Sequence, residues 1–331
     1  MAHPAESVAR GGPSAVDAAL ELEAVVKRYG ATAALGSVTL RVAPGEMFGL
    51  IGPDGAGKTT AIRLLCGLLH PDSGRVRVLG RDPVRDHRAV TGEVGYLSQR
   101  FSLYGDLSID ENIAFFAEIH GLRDYRARRA RLLDMMQLTP FRGRLADRLS
   151  GGMKQKLALA CTLVHEPRVV LLDEPTTGVD PVSRREFWRL LSQFLADGIT
   201  ILMSTPYLDE AERCSRVALL HEGRLLACDE PGRLRSETAG SWFEVMVPDP
   251  REAVVDLRRR GGLADAQVFG DRIHVRIDES DPDRGWRTVS GAVRAAGIEA
   301  EGVRSIVPSL EDVYIARLAG AREVGGAGQR P

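Results

Sequence analysis

Met47-Phe48-Gly49-Leu50-Ile51-Gly52-Pro53-Asp54-Gly55-Ala56-Gly57-Lys58-Thr59-Thr60 is the stretch that decides the fold. Five apolar residues run into a glycine-rich turn, and the turn runs into a helical pattern over Lys58–Leu68. Met47–Ile51 reads as a strand buried on both faces, as in a parallel sheet. Gly52–Thr59 fits the pattern G-x-x-x-x-G-K-[ST]. Its glycines let the backbone wrap round phosphates with N–H groups pointing inward. The helix that follows presents its positive N-terminal end to the same anion. In this pattern the lysine, here Lys58, reaches the β- and γ-phosphates of a nucleotide, and the Thr59 hydroxyl binds Mg²⁺. A chance glycine-rich turn would lack the strand before it and the helix after it.

A second apolar run, Val169–Leu172, ends in two carboxylates, Asp173 and Glu174. Asp173 is placed to hold the magnesium shell from the far side. Glu174, one residue on, points differently along the chain and can polarise an attacking water. Val94–Ser98 and Thr200–Ser204 read as further buried strands, with helical patterns at Gly151–His165 and Ser183–Ala196 between the runs. That alternation predicts an α/β core with crossover helices. Ser108–Leu138 breaks it, reading as two successive helices parted by Gly121. Its arginines (123, 126, 128, 129 and 131) suit either acidic groups on a partner or a solvated helix face.

Near residue 230 the pattern changes. Val217–Leu220 and Leu225–Cys228 flank Glu222-Gly223 as a hairpin. Asp229–Gly240 reads as a linker. Strands at Trp242–Val247, Arg272–Ile277 and Gly302–Val307 and helices at Glu252–Arg260 and Trp286–Ala296 then suggest a strand-helix-strand-strand-helix-strand unit, the ferredoxin-like order. The expected organisation is a loose tail over 1–17, a nucleotide-binding domain over 18–235 with a helical subdomain at about 100–150, an accessory α+β domain over 240–318 and a disordered tail over 319–331.

Composition excludes several classes. A net charge of −1 gives no overall field for nucleic acid. The four cysteines, Cys66, Cys161, Cys214 and Cys228, form no CxxC, so free thiols are expected rather than a disulfide framework or a zinc site. No run approaches the ~18 apolar residues of a membrane span. The first 17 residues lack the apolar stretch of a signal peptide. Any membrane contact is therefore expected to be indirect.

A third motif narrows the reading. Leu149-Ser150-Gly151-Gly152-Met153-Lys154-Gln155 resembles the signature sequence of ATP-binding-cassette (ABC) proteins, with Met153 as a mild departure. The resemblance covers about residues 20–230, with its motifs in the family's order. It implies a P-loop NTPase ABC cassette, a mixed sheet with crossover helices plus a helical subdomain, followed here by the small ferredoxin-like domain. It also implies ATP and Mg²⁺ as ligands. The implied nucleotide site comprises Tyr29, stacked on adenine, Gly52, Pro53, Asp54, Gly55, Ala56, Gly57, Lys58, Thr59 and Thr60. Across a sandwich dimer, Ser150, Gly151, Gly152 and Asp180 of a second cassette would complete it. Thr59, Gln99 and Asp173 are the implied metal residues, and Glu174 and Gln99 the implied catalytic ones. Val307-Pro308-Ser309-Leu310-Glu311-Asp312-Val313-Tyr314 resembles the ending of ATPases that drive ABC-2 type exporters of drugs, lipids or polysaccharides. That implies a separate transmembrane permease and a peripheral place on the cytoplasmic face of the membrane.

One departure matters. Most of the family carry Ser-Thr-His after the Thr200–Ser204 strand, and the resemblance implies that this histidine contacts the γ-phosphate; this chain reads Ser204-Thr205-Pro206 there. Proline has neither a side-chain donor nor an N–H. Two expectations stand: a homodimer in which Glu174 suffices, or a weakened site paired with a second, complete ATPase. His165 and His221 are expected to cap or solvate rather than to replace the missing group. A soluble ABC ATPase of DNA or ribosome metabolism is the rival class, but it usually carries coiled-coil or zinc inserts, or two cassettes in one chain.

Overall fold

The computed structural model describes residues 18–99, 103–263 and 265–326. The tail expected over 1–17 lies outside them, as do residues 327–331. The chain divides after Cys228 into two compact units.

The first unit opens with β1 (Leu20–Tyr29), β2 (Thr32–Val42), β3 (Met47–Ile51), α1 (Lys58–Leu65), β4 (Ser73–Val78), α2 (His87–Thr91) and β5 (Val94–Leu97). Then come α3 (Ile109–Ile119), α4 (Arg126–Met135), α5 (Gly151–Leu163), β6 (Val169–Asp173), α6 (Pro181–Ala196) and β7 (Thr200–Thr205). It closes with α7 (Leu208–Ala211), β8 (Arg216–His221) and β9 (Arg224–Asp229), the last strand running one residue past the division. Six strands form a sheet in the order β5-β6-β7-β3-β8-β9, and the pairs from β5 to β8 are parallel. Every residue of β3, β6 and β7 is buried, as continuous apolar runs in a two-sided sheet should be. Glu222 and Gly223 join β8 to β9 with φ of 46° and 73°. Two central residues with positive φ match the twist of a hairpin.

A second, antiparallel sheet in the order β2-β1-β4 was not legible in the sequence. Register shifts between Leu22 and Val25 and again near Val26 and Lys27 break the alternation that would reveal β1. The two helices of the insert are present as α3 and α4, with Gly121 at φ 68° between them. A capping box starts α3: Ser108 accepts from the Glu111 N–H, and Glu111 accepts in turn from the Ser108 N–H. Of the arginines that suited either a partner or a solvated helix face, three pair inside the unit. Arg128 pairs with Glu166, Arg131 with Asp197 at 3.1 Å and Arg129 with Asp110 at 3.6 Å. Burial and the neighbouring Arg131 charge hold the Arg128 guanidinium down to about 10.

The second unit comprises α8 (Pro231–Ser236), β10 (Ser241–Met246), α9 (Pro250–Arg259), β11 (Ala266–Phe269), β12 (Arg272–Ile277), α10 (Pro282–Ala295), β13 (Gly302–Ile306) and α11 (Leu310–Gly326). From β10 to β13 this is the expected strand-helix-strand-strand-helix-strand succession, in a sheet ordered β11-β12-β10-β13. Two expectations are corrected. The segment read as a linker holds α8, which starts on Pro231 and buries Leu234; proline suits the first helical turn because its missing N–H is not needed there. The tail expected from 319 is helical to Gly326, because the good helix formers Ala316, Arg317, Leu318 and Ala319 carry α11 past that point.

Candidate functional site

The parallel sheet brings the carboxyl ends of β3, β5, β6 and β7 to one edge, where open α/β sheets bind ligands. The turn from β3 into α1 carries the glycine-rich motif. Gly57 sits at φ 103°, and a Cβ there would lie 2.4 Å from the Ala34 carbonyl oxygen, so any side chain is excluded twice over. The Lys58 side chain folds under this turn and is only 4% exposed. Its Nζ donates to the carbonyls of Gly52 at 2.8 Å and Pro53 at 3.0 Å, and it pairs with Glu174 Oε1 at 3.0 Å.

Asp173 and Glu174 end β6. The Thr59 hydroxyl donates to Asp173 Oδ1 at 3.1 Å, and Gln99 Nε2, just past β5, donates to Glu174 Oε2 at 3.0 Å. Lys58, Thr59, Gln99, Asp173 and Glu174 thus form one cluster. Glu174 holds φ at 49°, in the left-handed region that a non-glycine residue enters at a cost of ~1–3 kcal/mol. That bend turns its carboxyl back toward Lys58 and away from the strand direction. The same charges bear on their neighbours: burial first, then Asp173, pushes the Cys66 thiol and the Tyr96 phenol each up to about 12.

Sequence reasoning missed Ser204. Its hydroxyl donates to Asp173 Oδ1 at 2.7 Å and accepts the Glu174 N–H at 3.0 Å. One side chain from β7 therefore fixes the Asp173 carboxylate and the Glu174 backbone together. The available signal was position: Ser204 is a polar residue at the end of an otherwise apolar run.

The remaining site residues stand apart from this cluster. Ser150 caps α5 by accepting the Met153 N–H at 3.3 Å, and Gly151 opens the helix. A Cβ on Gly152 would lie 2.2 Å from the Ser183 hydroxyl, so glycine lets α5 close on α6. Asp180 caps α6, accepting from Val182 and Ser183 N–H at 3.1 and 3.0 Å, and hydrogen bonds from Ser183 hold its carboxyl below the usual range. Tyr29, at the end of β1, is 49% exposed. Among the described residues no hydrogen bond or ion pair joins Tyr29, Ser150 or Asp180 to Lys58. His165 is also remote, stacking on His120 with ring centroids 3.7 Å apart.

The donor set suits a magnesium nucleotide. A hydroxyl, an aspartate and an amide oxygen are hard ligands, and Mg²⁺ is usually held by one or two carboxylates plus substrate phosphates. Among the described residues no group of three or more His, Cys, Asp or Glu could hold a metal unaided.

A buried lysine in a glycine turn, facing a strand-end carboxylate pair on a parallel sheet, defines a P-loop nucleotide-binding protein. The family model described as ABC transporter matches residues 35–177. The chain is 41% identical over 314 residues to the probable multidrug ABC transporter ATP-binding protein YbhF of Escherichia coli (strain K12), covering 92% of this chain but 53% of that protein. It is 37% identical to the daunorubicin resistance ATP-binding protein DrrA3 of Streptomyces coeruleorubidus, over 90% of this chain and 95% of that one. A solved structure of an ATP-binding subunit of an ABC transporter matches with a TM-score of 0.61 at 32% identity, covering 66% of this chain and 92% of that one. The chain belongs to the ATP-binding proteins of ABC transporters. It spans about half the length of the YbhF protein that it matches.

Proposed function

We propose that this chain hydrolyses ATP to drive export through a separate membrane permease of the ABC-2 type. The observation that carries this reading is the convergence of Lys58, Thr59, Gln99, Asp173 and Glu174 at one sheet edge. Among drug, lipid and polysaccharide cargoes, the DrrA-type relative, matched almost end to end and named for daunorubicin resistance, favours a drug-like one. No described helix is long and apolar enough to cross a membrane, which suits a chain that works from the cytoplasmic face on a partner.

In this mechanism Lys58 exchanges its bonds to the Gly52 and Pro53 carbonyls for bonds to the β- and γ-phosphates. Thr59, Asp173 and Gln99 would hold Mg²⁺, which when bound would supply positive charge against the phosphates. Tyr29 stacks on the adenine. Ser150, Gly151, Gly152 and Asp180 serve the nucleotide of a second cassette, and that separates them from Lys58 within one chain. Glu174, released by Lys58, accepts the proton of the attacking water. The work is chiefly positioning and charge neutralisation.

Pro206 favours a second reading of the assembly. With no donor at that place, the site is weakened and the chain pairs with a second ATPase. Purification of the tagged full chain from gently solubilised native membranes, with its companions identified by mass spectrometry, tests both. A permease with this chain alone establishes the homodimer. A permease with a second ATPase establishes the pair. Ribosomal or DNA-bound companions, or none, overturn the transporter reading.

A further inference from the structure

A second buried carboxyl lies beside the site, and the mechanism above does not use it. Glu210, in the short helix α7, is 1% exposed. Its Oε1 accepts the Thr176 hydroxyl at 2.6 Å, and its Oε2 accepts the Thr205 hydroxyl at 2.7 Å. Both threonines are fully buried. The Arg184 Nε of α6 lies 3.6 Å from the same Oε1, and the Arg184 guanidinium stacks over the Tyr207 ring at 4.8 Å.

The two threonines belong to different loops. Thr176 stands two residues beyond Glu174, in the segment that runs to Asp180. Thr205 ends β7 immediately before Pro206, and its hydroxyl also accepts the Tyr207 N–H at 3.1 Å. Side chains alternate across a strand. Ser204 accordingly turns to Asp173 and Glu174 on one side while Thr205 turns to Glu210 on the other. Glu210 is therefore a fork whose two oxygens set the spacing between the Glu174 loop and the Pro206 turn. Burying a carboxyl is costly unless it is partnered, and an apolar residue would fill this place without that cost. What the carboxyl adds is a second tie between two loops, beyond the bonds of Ser204 to the Asp173 carboxylate and the Glu174 N–H at the ends of the paired strands.

We propose that Glu210 is a positioning residue for ATP hydrolysis, acting through Thr176 and Thr205 to hold the Glu174 loop against the Pro206 turn. The inference rests on the ATP-hydrolysing reading. It gains weight from Pro206: a turn with no side-chain donor cannot locate itself on the phosphate and depends on bracing from behind. Arg184 extends the brace to the start of α6, the helix that Asp180 caps.

The test uses the purified full chain with Mg²⁺ and ATP. Glu210→Gln keeps size and shape but exchanges one acceptor for a donor. It is expected to lower kcat about 10- to 100-fold, the scale of a small misplacement remote from the chemistry. KM for ATP should stay within about 2-fold, because the phosphate loop is untouched. Thr176→Val should lower kcat alone but add nothing to Glu210→Gln, as members of one unit do. Thr176→Ser, which restores the hydroxyl, should restore kcat. Unchanged kcat in Glu210→Gln, or losses that merely follow the melting temperature and add independently, would overturn the positioning role while leaving the ATPase reading intact. A wild-type chain that fails to hydrolyse ATP would overturn both.

Discussion

Each unit of the chain buries a cluster of charges, and the two clusters are built on opposite principles. In the first unit Lys58, Asp173 and Glu174 come from strand ends and a glycine turn, with Glu174 in a costly backbone conformation. In the second, Glu244 lies mid-strand in β10 and is 6% exposed. Register places it opposite His274 on one side and Arg304 on the other. It accepts from Arg272 at 2.8 Å and Arg304 at 2.7 Å. Burial opposes its ionisation, but the two arginines together outweigh burial and hold its carboxyl below the ordinary range. His274 in turn meets Asp312 of α11 at 2.9 Å, and Asp312 also accepts from the Ser309 hydroxyl at 2.7 Å. Strand register sets the partners of Glu244, and Asp312 joins that network from the first turn of α11. Lys58, by contrast, donates to carbonyls of its own turn, which a phosphate can replace. Exchangeable partners mark a site, and register-locked partners mark a brace.

Glu174→Gln separates the two kinds most widely. It is expected to lower ATP turnover by about 10²- to 10⁴-fold, the usual contribution of a general base, with nucleotide binding retained. Steady-state hydrolysis and an equilibrium ATP-binding titration check it. Pro206→His comes next and runs in the opposite direction. A restored donor aimed at the γ-phosphate should raise turnover by about 10- to 100-fold, somewhat under the full value of such a contact. No gain would mean that the bracing of the turn already supplies what the histidine would.

Glu244→Ala should show the reverse profile. It leaves Arg272, Arg304 and His274 without their shared acceptor. The arginines are 37% and 56% exposed, so water recovers part of the loss. The expected cost is about 2 kcal/mol. Calorimetry should show the second unit melting earlier while ATP turnover stays unchanged. A fall in turnover would break the contrast by giving the brace a catalytic reach.

This contrast also explains what the sequence reveals. The phosphate turn, the Asp173-Glu174 pair and the Ser150 helix start are legible because each is a run of adjacent residues whose spacing is its chemistry. Ser204 and Glu210 are not, because their partners Asp173 and Thr176 lie 31 and 34 residues away and only sheet order brings them together. The β2-β1-β4 sheet escapes for a different reason: the bulges that shift the register of β1 also scramble its alternation. The helix α8 escapes because a short run beginning Pro-Gly satisfies the rules for a linker equally well.

A third buried group tests how far an unpartnered polar atom can be trusted as a sign of function. His165 Nδ1 has no hydrogen-bond partner among the described residues, while Nε2 lies 3.2 Å from the Val94 carbonyl. The ring stacks flat on His120, with Arg128 close enough to matter, and nothing described connects it to Glu174. Burial, then the His120 and Arg128 charges, pulls its pKa from 6.5 down to about 4, and burial lowers His120 as well. Between those values the unfolded chain binds a proton that the folded chain refuses. Stability is therefore full above pH 6.5 and is lost as pH falls toward 4. The loss expected from this group is about 2 kcal/mol, after allowing for its partial exposure. His165→Gln can still donate to Val94 and cannot titrate, so denaturant unfolding at pH 7 and pH 4.5 should show that much less acid destabilisation than in the parent chain. Equal losses in both would place the acid sensitivity among the carboxylates and leave the histidine stack a packing detail. A loss of ATP turnover at pH 7 in this variant would instead show that an unpartnered buried atom marks function even far from the phosphate turn.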